Sequence, residues 1–252
     1  MALNVRSTKE TLEKILAFLK AGTPFAYTRF SDGQLLHING WEGDKLDHVA
    51  SPMLQLIQKK AIAIDDPSYL VAVQCGFKEE EHMTMNSLGL FKNDAQLEAV
   101  VRENVNDADT KEFFSSAALQ YGMLYYQDLM KEILDEILKK KVAIVGGPHL
   151  KEALRFFPNA VWIDAPETDA FDEVEDITLK VYEAQPDIVL TSIGLCSQPL
   201  QYFIFIDNSN ITTINFGSIF DALLGLSTRG WIRENAALIE GFKAKITPNE
   251  QA

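Results

Sequence analysis

Residues 142–150 read VAIVGGPHL, a run of four apolar residues followed by two glycines and a proline. A short apolar run rich in β-branched residues predicts a buried strand over residues 142–145. The glycines and the proline predict a tight connection, and residues 149–156 have the pattern of a helix. This unit of strand, loop and helix decides the fold, because the rest of the carboxyl-terminal half repeats it.

The repeats continue to about residue 221. Strands are predicted at residues 161–163, 188–191 and 212–215, and helices at about residues 174–183 and from about residue 219. Residues 199–206 fit a helix, although a strand would also explain them. Short apolar strands that alternate with helices are typical of a parallel sheet covered on both sides. We therefore predict an α/β fold with a Rossmann-like, mostly parallel sheet and helices on both faces.

The amino-terminal half fits the same scheme. Ser7 and Glu10 form a capping-box pattern before a helix that runs to about residue 20. Residues 25–30 and 70–74 are predicted strands, and Ser51-Pro52 predicts the start of another helix. Residues from about 95 to 140 are expected to be mostly helical. We predict a single domain over residues 1–252 that includes this helical segment.

Composition and charge narrow the class of protein. The chain has 252 residues, 47% of them hydrophobic, which is typical of a globular domain and excludes extensive disorder. Its 23 Lys and Arg against 36 Asp and Glu give a net charge of −13, which disfavours nucleic acid as a partner. No apolar run approaches the roughly 20 residues that cross a bilayer, and no signal peptide is evident. We therefore expect no membrane span and a cytoplasmic location.

Five loops at predicted strand ends collect glycines and polar residues. They cover residues 29–34, 146–149, 164–167, 192–198 and 215–221. In doubly wound sheets, ligands bind beyond the carboxyl ends of the strands. Because parallel strands end at the same edge of a sheet, we expect these loops to converge on one ligand site.

The first loop contains Arg29, Asp32, Gly33 and Gln34. A carboxylate at a strand end, beside a glycine that admits close backbone approach, can hold a divalent cation against a diphosphate, so Asp32 is a candidate metal ligand. The guanidinium group of Arg29 can form paired hydrogen bonds with phosphate oxygens. Ser-Asp-Gly is also common turn chemistry, and a turn explains the loop as well as a site does.

The loops at Gly146-Gly147 and at Asp164 are candidate donor-binding segments. Two glycines before a helix favour an anion, although without a full G-x-G-x-x-G pattern a tight turn is an equal alternative. Asp164 ends the next strand, close to the spacing at which Rossmann folds place an acid on a ribose hydroxyl, and Glu167 lies nearby. Solvated loop carboxylates would explain both acids equally well.

The last loops add two glycines and a candidate base. Gly194 and Gly217 are expected to approach the donor, and Asp221 is predicted in the first turn of a helix, where it can accept a proton from an acceptor hydroxyl. A carboxylate favoured by the helix dipole is the alternative for Asp221. Arg229 and Arg233 could neutralise a diphosphate, but a solvated amphipathic segment explains them better.

The sequence lacks the motifs that would indicate several other kinds of site. Four scattered histidines have no zinc-ligand spacing, and neither a Walker motif nor G-x-S-x-G occurs. The acidic run at residues 79–81 with His82 is expected to form a solvated loop.

The segment Arg29-Phe30-Ser31-Asp32-Gly33-Gln34 resembles the R-[FY]-G-D-G-E segment of the GT-D type glycosyltransferases, a family once catalogued as a domain of unknown function. Segments at residues 142–148, 163–171, 187–194 and 214–221 are also similar. The likeness runs from about residue 25 to residue 233. The resemblance rests on the order and spacing of these short motifs.

The resemblance implies a Rossmann-like enzyme that moves a sugar from a nucleotide donor, usually a UDP-sugar. In that family a D-x-E motif helps bind a divalent metal, Mn²⁺ or Mg²⁺, and the donor. Asp32 matches the first acid of the motif, whereas Gln34 stands in place of its glutamate and Ser31 in place of the usual glycine. A neutral amide removes a negative charge beside the cation and cannot act as a base. The chain would then hold a metal more weakly, work without one, or have lost catalysis.

Two functions are therefore expected. The leading hypothesis is a hexosyltransferase-like enzyme that transfers a sugar from a UDP-sugar to a hydroxyl group of a glycan or another acceptor, with Asp32 and Asp221 as catalytic residues. The alternative is a nucleotide-sugar-binding protein of the same fold that is catalytically silent, which Gln34 would permit.

Overall fold

The structure is a computed structural model that describes residues 3–40, 51–76 and 94–246. Its centre is one eight-stranded sheet whose neighbouring strands are parallel. In chain order the strands are β1 (Asn4–Val5), β2 (Ala26–Phe30), β3 (Tyr69–Val73), β4 (Glu112–Ser115), β5 (Val142–Gly146), β6 (Val161–Asp164), β7 (Ile188–Ser192) and β8 (Thr212–Asn215). Their order across the sheet is β1-β4-β3-β2-β8-β7-β5-β6.

Helices connect the strands and cover the sheet. They are α1 (Thr8–Ala21), α2 (Asp32–Ile38), α3 (Pro52–Ala63), α4 (Asp94–Asn104), α5 (Ala118–Tyr125), α6 (Gln127–Leu138), α7 (Val174–Ala184), α8 (Ser197–Asp207), α9 (Ile219–Leu224), α10 (Gly230–Glu234) and α11 (Ala236–Ile246), with 3₁₀ helices at Pro148–Phe156 and Gly194–Cys196. Within the described residues, none of these helices combines the length and the apolar character that a membrane span needs.

Alternation along the strands separates two apolar layers. Tyr27 of β2 belongs to the layer formed with α1, α5, α6, α9 and α11, whereas Phe30 belongs to the opposite layer with α2, α3 and α4. Helices α7 and α8 cover that second face over β5 and β7. The strands are buried on both faces, so their sequences are continuously apolar and do not alternate between apolar and polar residues.

The predicted α/β fold, with its parallel sheet and helices on both faces, is confirmed. The six predicted strands begin and end within one residue of the observed ones. Ser7 and Glu10 form the expected capping box, and Ser51 caps α3 through its side chain. Residues 199–206, left open between helix and strand, lie within α8.

Three local expectations need correction. Residues 95–140 are mostly helical, as expected, but strand β4 interrupts them; it pairs with β3 and β1 and is too short to show an alternating pattern. The loop at Asp32 is the first turn of helix α2, which is only seven residues long. The helix after Gly147 is a 3₁₀ helix that begins at Pro148. The solvated loop expected at residues 79–82 lies outside the described residues.

Strand β2 separates from β8 toward its carboxyl end. It pairs with β3 along its whole length but with β8 only at Ala26 and Tyr27. Backbone carbonyl groups that lose a partner in the interior must find another. Two fully buried glutamines of α8 provide it, because the Nε2 of Gln201 donates to the carbonyl oxygen of Tyr27 at 3.0 Å and the Nε2 of Gln198 donates to that of Arg29.

Replacing Gln198 with leucine removes the donor to the Arg29 carbonyl group without changing the size of the side chain greatly. An unsatisfied buried carbonyl costs about 1–3 kcal/mol, so we expect Gln198→Leu to lower the free energy of unfolding by that amount. The measurement is the midpoint of urea denaturation at unchanged slope.

The matched control is Gln96→Leu on the exposed side of α4, which we expect to change stability by less than about 0.5 kcal/mol. Equal stability of the two variants would show that the buried amide is not needed where β2 leaves β8.

Candidate functional site

The five loops selected from the sequence lie at one edge of the sheet. All eight strands are parallel, so the carboxyl ends of β2, β8, β7, β5 and β6 follow one another along that edge. Arg29, Gly217, Gly194, Gly147 and Asp164 occupy these five strand ends in that order. The sequence-distant turns therefore lie along a single edge of the sheet; their convergence on one ligand stays a prediction.

The β2–β8 junction is a topological switch point. After β2 the chain enters α2, which packs in the layer with Phe30, whereas after β8 it enters α9, which packs in the opposite layer with Tyr27. Two loops that leave adjacent strands toward opposite faces open a crevice between them, and ligands of open α/β sheets bind in such crevices. This position is therefore the principal candidate site.

Arg29 lies near the carboxyl end of β2, at this junction, with only 8% of its surface exposed. Its Nε donates to the carbonyl oxygen of Ser116 at 2.6 Å, and its Nη1 makes a long bond of 3.4 Å to the carbonyl oxygen of Phe216. Within the described part of the chain, no carboxylate forms an ion pair with Arg29. The guanidinium group thus keeps donor capacity for a ligand.

The electrostatics of Arg29 are unfavourable without an anion. Burial lowers the pKa of its guanidinium group; Tyr27 opposes this shift, whereas the positive charge of Arg229 adds to it. A buried charge without a partner costs stability. The chain has a net charge of −13, yet neither Arg29 nor Arg229 has an acidic partner in the described residues. An incoming anion would relieve both penalties.

Gly217 shapes the other side of the crevice. Its φ is +50°, a backbone conformation that residues with a Cβ rarely adopt. A Cβ at this position would lie 2.8 Å from the Nη1 of Arg29. The Ser192 hydroxyl donates to the Gly217 carbonyl oxygen at 3.0 Å and ties the loop to the end of β7. Glycine is therefore required both by the turn and by the space that the guanidinium group occupies.

Asp32 and Gln34 lie at the start of α2. Asp32 is exposed, and its Oδ1 accepts from the Gly33 backbone at 2.8 Å. The Oε1 of Gln34 accepts from the Ser31 backbone N–H at 3.1 Å and from the Ser31 hydroxyl, which completes a capping box. Gln34 therefore stabilises the helix start through the oxygen that a metal would need.

Asp221 is the third residue of α9 and is half-buried. Its Oδ1 accepts from the Thr228 hydroxyl at 2.9 Å, and its carbonyl oxygen accepts from the Leu226 N–H at 2.8 Å. Nearby, the Trp231 indole N–H donates to the Ser218 hydroxyl at 3.1 Å. These contacts fold the segment that carries Arg229 back against the loop after β8.

A second cluster lies at the ends of β5 and β6. A Cβ at Gly146 would lie 3.0 Å from the Trp162 ring, and one at Gly147 would lie 2.9 Å from the His149 ring. His149 in turn pairs with Glu167 through Nδ1 and Oε1 at 2.8 Å. Both glycines make room for side chains that cover the loop.

An open cleft adjoins this second cluster. Trp162 donates to the Oδ1 of Asp164 at 2.8 Å, and the cleft includes the exposed acids Asp164 and Glu167. Its lining residues are Pro148, Asp164, Ala165, Pro166, Glu167, Glu173 and Lys180.

The structure brings Arg29 and Gly217 into contact, and it places Asp32 and Asp221 in the first turns of α2 and α9, the helices that follow β2 and β8. Gly146, Gly147, Asp164 and Glu167 form the separate cluster on β5 and β6, and Gly194 lies between the two groups at the end of β7, with φ +56°. The two expected catalytic carboxylates do not share a hydrogen-bond partner among the described residues.

Sequence reasoning missed the residues that hold Arg29. The carbonyl oxygens of Ser116 and Phe216 carry no side-chain signal. Gln198 is one of two glutamines, with Gln201, that stand among the apolar residues of α8, and this is the signal that could have identified it.

Comparison with known proteins identifies the fold. No protein-family model matches this sequence, and no curated protein matches it. Among solved structures, the chain is similar to one described by the statement that the highly conserved domain of unknown function 1792 has a distinct glycosyltransferase fold. The TM-score is 0.68 at 15% sequence identity, and the match covers 87% of this chain and 80% of that chain. The chain therefore shares the fold of a structure described as a glycosyltransferase fold.

Proposed function

We propose that this protein is a glycosyltransferase of the GT-D type, which transfers a sugar from a UDP-sugar to a hydroxyl group of a glycan or another acceptor. The observation that carries the proposal is the buried guanidinium group of Arg29, which has no acidic partner among the described residues and lies at the topological switch point. The glycosyltransferase fold of the similar structure supports the same conclusion.

The donor would lie along the edge of the sheet. Its diphosphate fits the crevice at Arg29 and the Gly217 loop, where a planar guanidinium group can form paired hydrogen bonds with phosphate oxygens. Strand β5 lies three strand positions from β2, roughly 14 Å at the usual spacing, so the nucleoside can extend toward Gly147. Asp164 and Glu167 are then the acceptors for the ribose hydroxyls.

Transfer requires one bond to break and one to form. The bond between the anomeric carbon and the diphosphate oxygen breaks, and its electron pair remains on the diphosphate, whose negative charge Arg29 stabilises. The acceptor oxygen forms the new bond to the anomeric carbon. Its proton passes to the carboxylate of Asp221 in the proposed role of this residue as general base.

A second candidate function is supported by Gln34. Its amide is neutral, and its oxygen caps α2. A site that has lost the second carboxylate could bind a nucleotide sugar without transferring it. Turnover separates this catalytically silent protein from the enzyme.

Replacing Arg29 with methionine removes the charge but keeps an apolar stem of similar length. We expect the affinity for UDP to fall at least tenfold, because a hydrogen bond to a charged group contributes about 1.5–3 kcal/mol and 1.4 kcal/mol corresponds to a factor of ten. Calorimetric titration with UDP measures this change.

The thermal midpoint is the control for Arg29→Met. Loss of the bond to Ser116 is offset by removal of an unpaired buried charge, so we expect a shift of only a few degrees. A large fall in the midpoint together with unchanged UDP affinity would mean that Arg29 serves the fold rather than the ligand.

Asp221→Asn tests the proposed base. Asparagine keeps an oxygen that can accept from Thr228 but cannot take a proton, so we expect UDP release in the presence of glycan acceptors to fall at least a hundredfold while donor affinity stays within about twofold.

Thr228→Val is the matched control, since it removes the same hydrogen bond but keeps the carboxylate, and we expect it to slow release less than tenfold. Unchanged turnover in Asp221→Asn would exclude this residue as the base. Donor binding without turnover in the unmodified protein would favour the silent binding protein.

A further inference from the structure

The resemblance to a D-x-E family implies a divalent cation between the motif and the diphosphate, and the donor set of this chain can be compared with that requirement. The Ser31 N–H is a donor, so the Gln34 amide must present its oxygen to it, at 3.1 Å. The amide then turns only its NH₂ group outward, and an NH₂ group does not bind a cation. Gln34 is therefore not a metal ligand in this arrangement.

Asp32 alone remains at the motif. One of its carboxylate oxygens accepts from the Gly33 N–H at 2.8 Å. Across residues 3–40, 51–76 and 94–246, no three His, Cys, Asp or Glu side chains lie together as a metal site would need. Hard divalent cations are held by several oxygen ligands, usually including carboxylates. The residues at this loop do not fit a protein-built cation site.

Two arginine side chains, rather than a bound cation, supply positive charge at this crevice. Arg29 is buried beside Gly217, and the neighbouring Ser218 accepts a hydrogen bond from Trp231, two residues after Arg229, so the segment that carries Arg229 packs against the same loop. Thr228, the residue before Arg229, donates to Asp221 in the first turn of α9, the helix that follows β8. Neither arginine has an acidic partner among the described residues. Two unpaired guanidinium groups can offset the charge of one diphosphate.

We infer that Arg29 and Arg229 together neutralise the diphosphate of the donor, so that nucleotide binding at this site needs no divalent cation. This inference rests on the proposed function. It assigns to Arg229 the diphosphate-binding role that its sequence context supports less well than a solvated amphipathic segment. The same two charges would stabilise the diphosphate as it leaves.

The test is calorimetric titration of the full chain with UDP in EDTA, in Mg²⁺ and in Mn²⁺. We expect dissociation constants that agree within about threefold under the three conditions. Arg229→Gln is expected to weaken binding at least tenfold in all of them. The control for loss of positive charge is Arg155→Gln. Arg155 is exposed and lies in the last turn of the Pro148–Phe156 helix, at the end away from Gly147, and its replacement should change affinity less than twofold.

Gln34→Glu provides a second comparison, because glutamate can cap Ser31 equally well while it restores a second carboxylate beside Asp32. We expect Mn²⁺ to strengthen UDP binding in this variant and not in the unmodified protein. Equal responses to Mn²⁺ in the two proteins would contradict the role given to residue 34.

The outcomes separate the inference from the proposed function. UDP binding that is present with Mn²⁺ but lost in EDTA would overturn the inference and leave the glycosyltransferase proposal in place. Binding that is independent of metal but insensitive to Arg229→Gln would also overturn it. Absence of binding by UDP and by other nucleoside diphosphates under every condition would overturn the proposed function itself.

Discussion

The separation of β2 from β8 is the constraint on which the site depends. A parallel sheet with complete pairing would close this edge with backbone hydrogen bonds, but β2 pairs with β8 at only two positions. Buried amides of α8 replace the missing partners, so the strands can part without leaving carbonyl groups unsatisfied. The crevice thus results from the pairing of the sheet itself, and hydrogen bonds from α8 stabilise it.

Arg29 turns this opening into an electrostatic site. Its backbone is held by Gln198 and its side chain by the Ser116 carbonyl oxygen, so the guanidinium group is fixed before any ligand arrives. Fixed donors lose less entropy on binding than flexible surface chains do. The protein accepts the cost of an unpaired buried charge at this one position, and costs of that kind are characteristic of binding sites.

The sequence predicts the fold better than it predicts the site. Strands such as Thr212–Asn215 can be located because they are short, apolar and bounded by polar loops. Strand β4 escapes detection because its four residues, three of them buried, are too few to show a period, and α2 escapes because seven residues are too few for a helical pattern. Alternation along β2 places Arg29 in the layer with Tyr27, but its carbonyl partners come from residues 87 and 187 positions away, which no local pattern can reveal.

The capping role of Gln34 shows a related limit of prediction from residue spacing. A glutamine three residues after a serine is a common helix start, and the same residue also occupies a motif position. Spacing alone cannot distinguish these roles, because both use the same side-chain oxygen. The hydrogen bonds to Ser31 decide between them for this chain.

A guanidinium group keeps its proton at every pH at which proteins remain folded, even where burial lowers its pKa. A lysine at the same depth would lose its charge much more readily. The anchor for phosphate oxygens in this crevice is therefore constant from mildly acid to mildly alkaline solution.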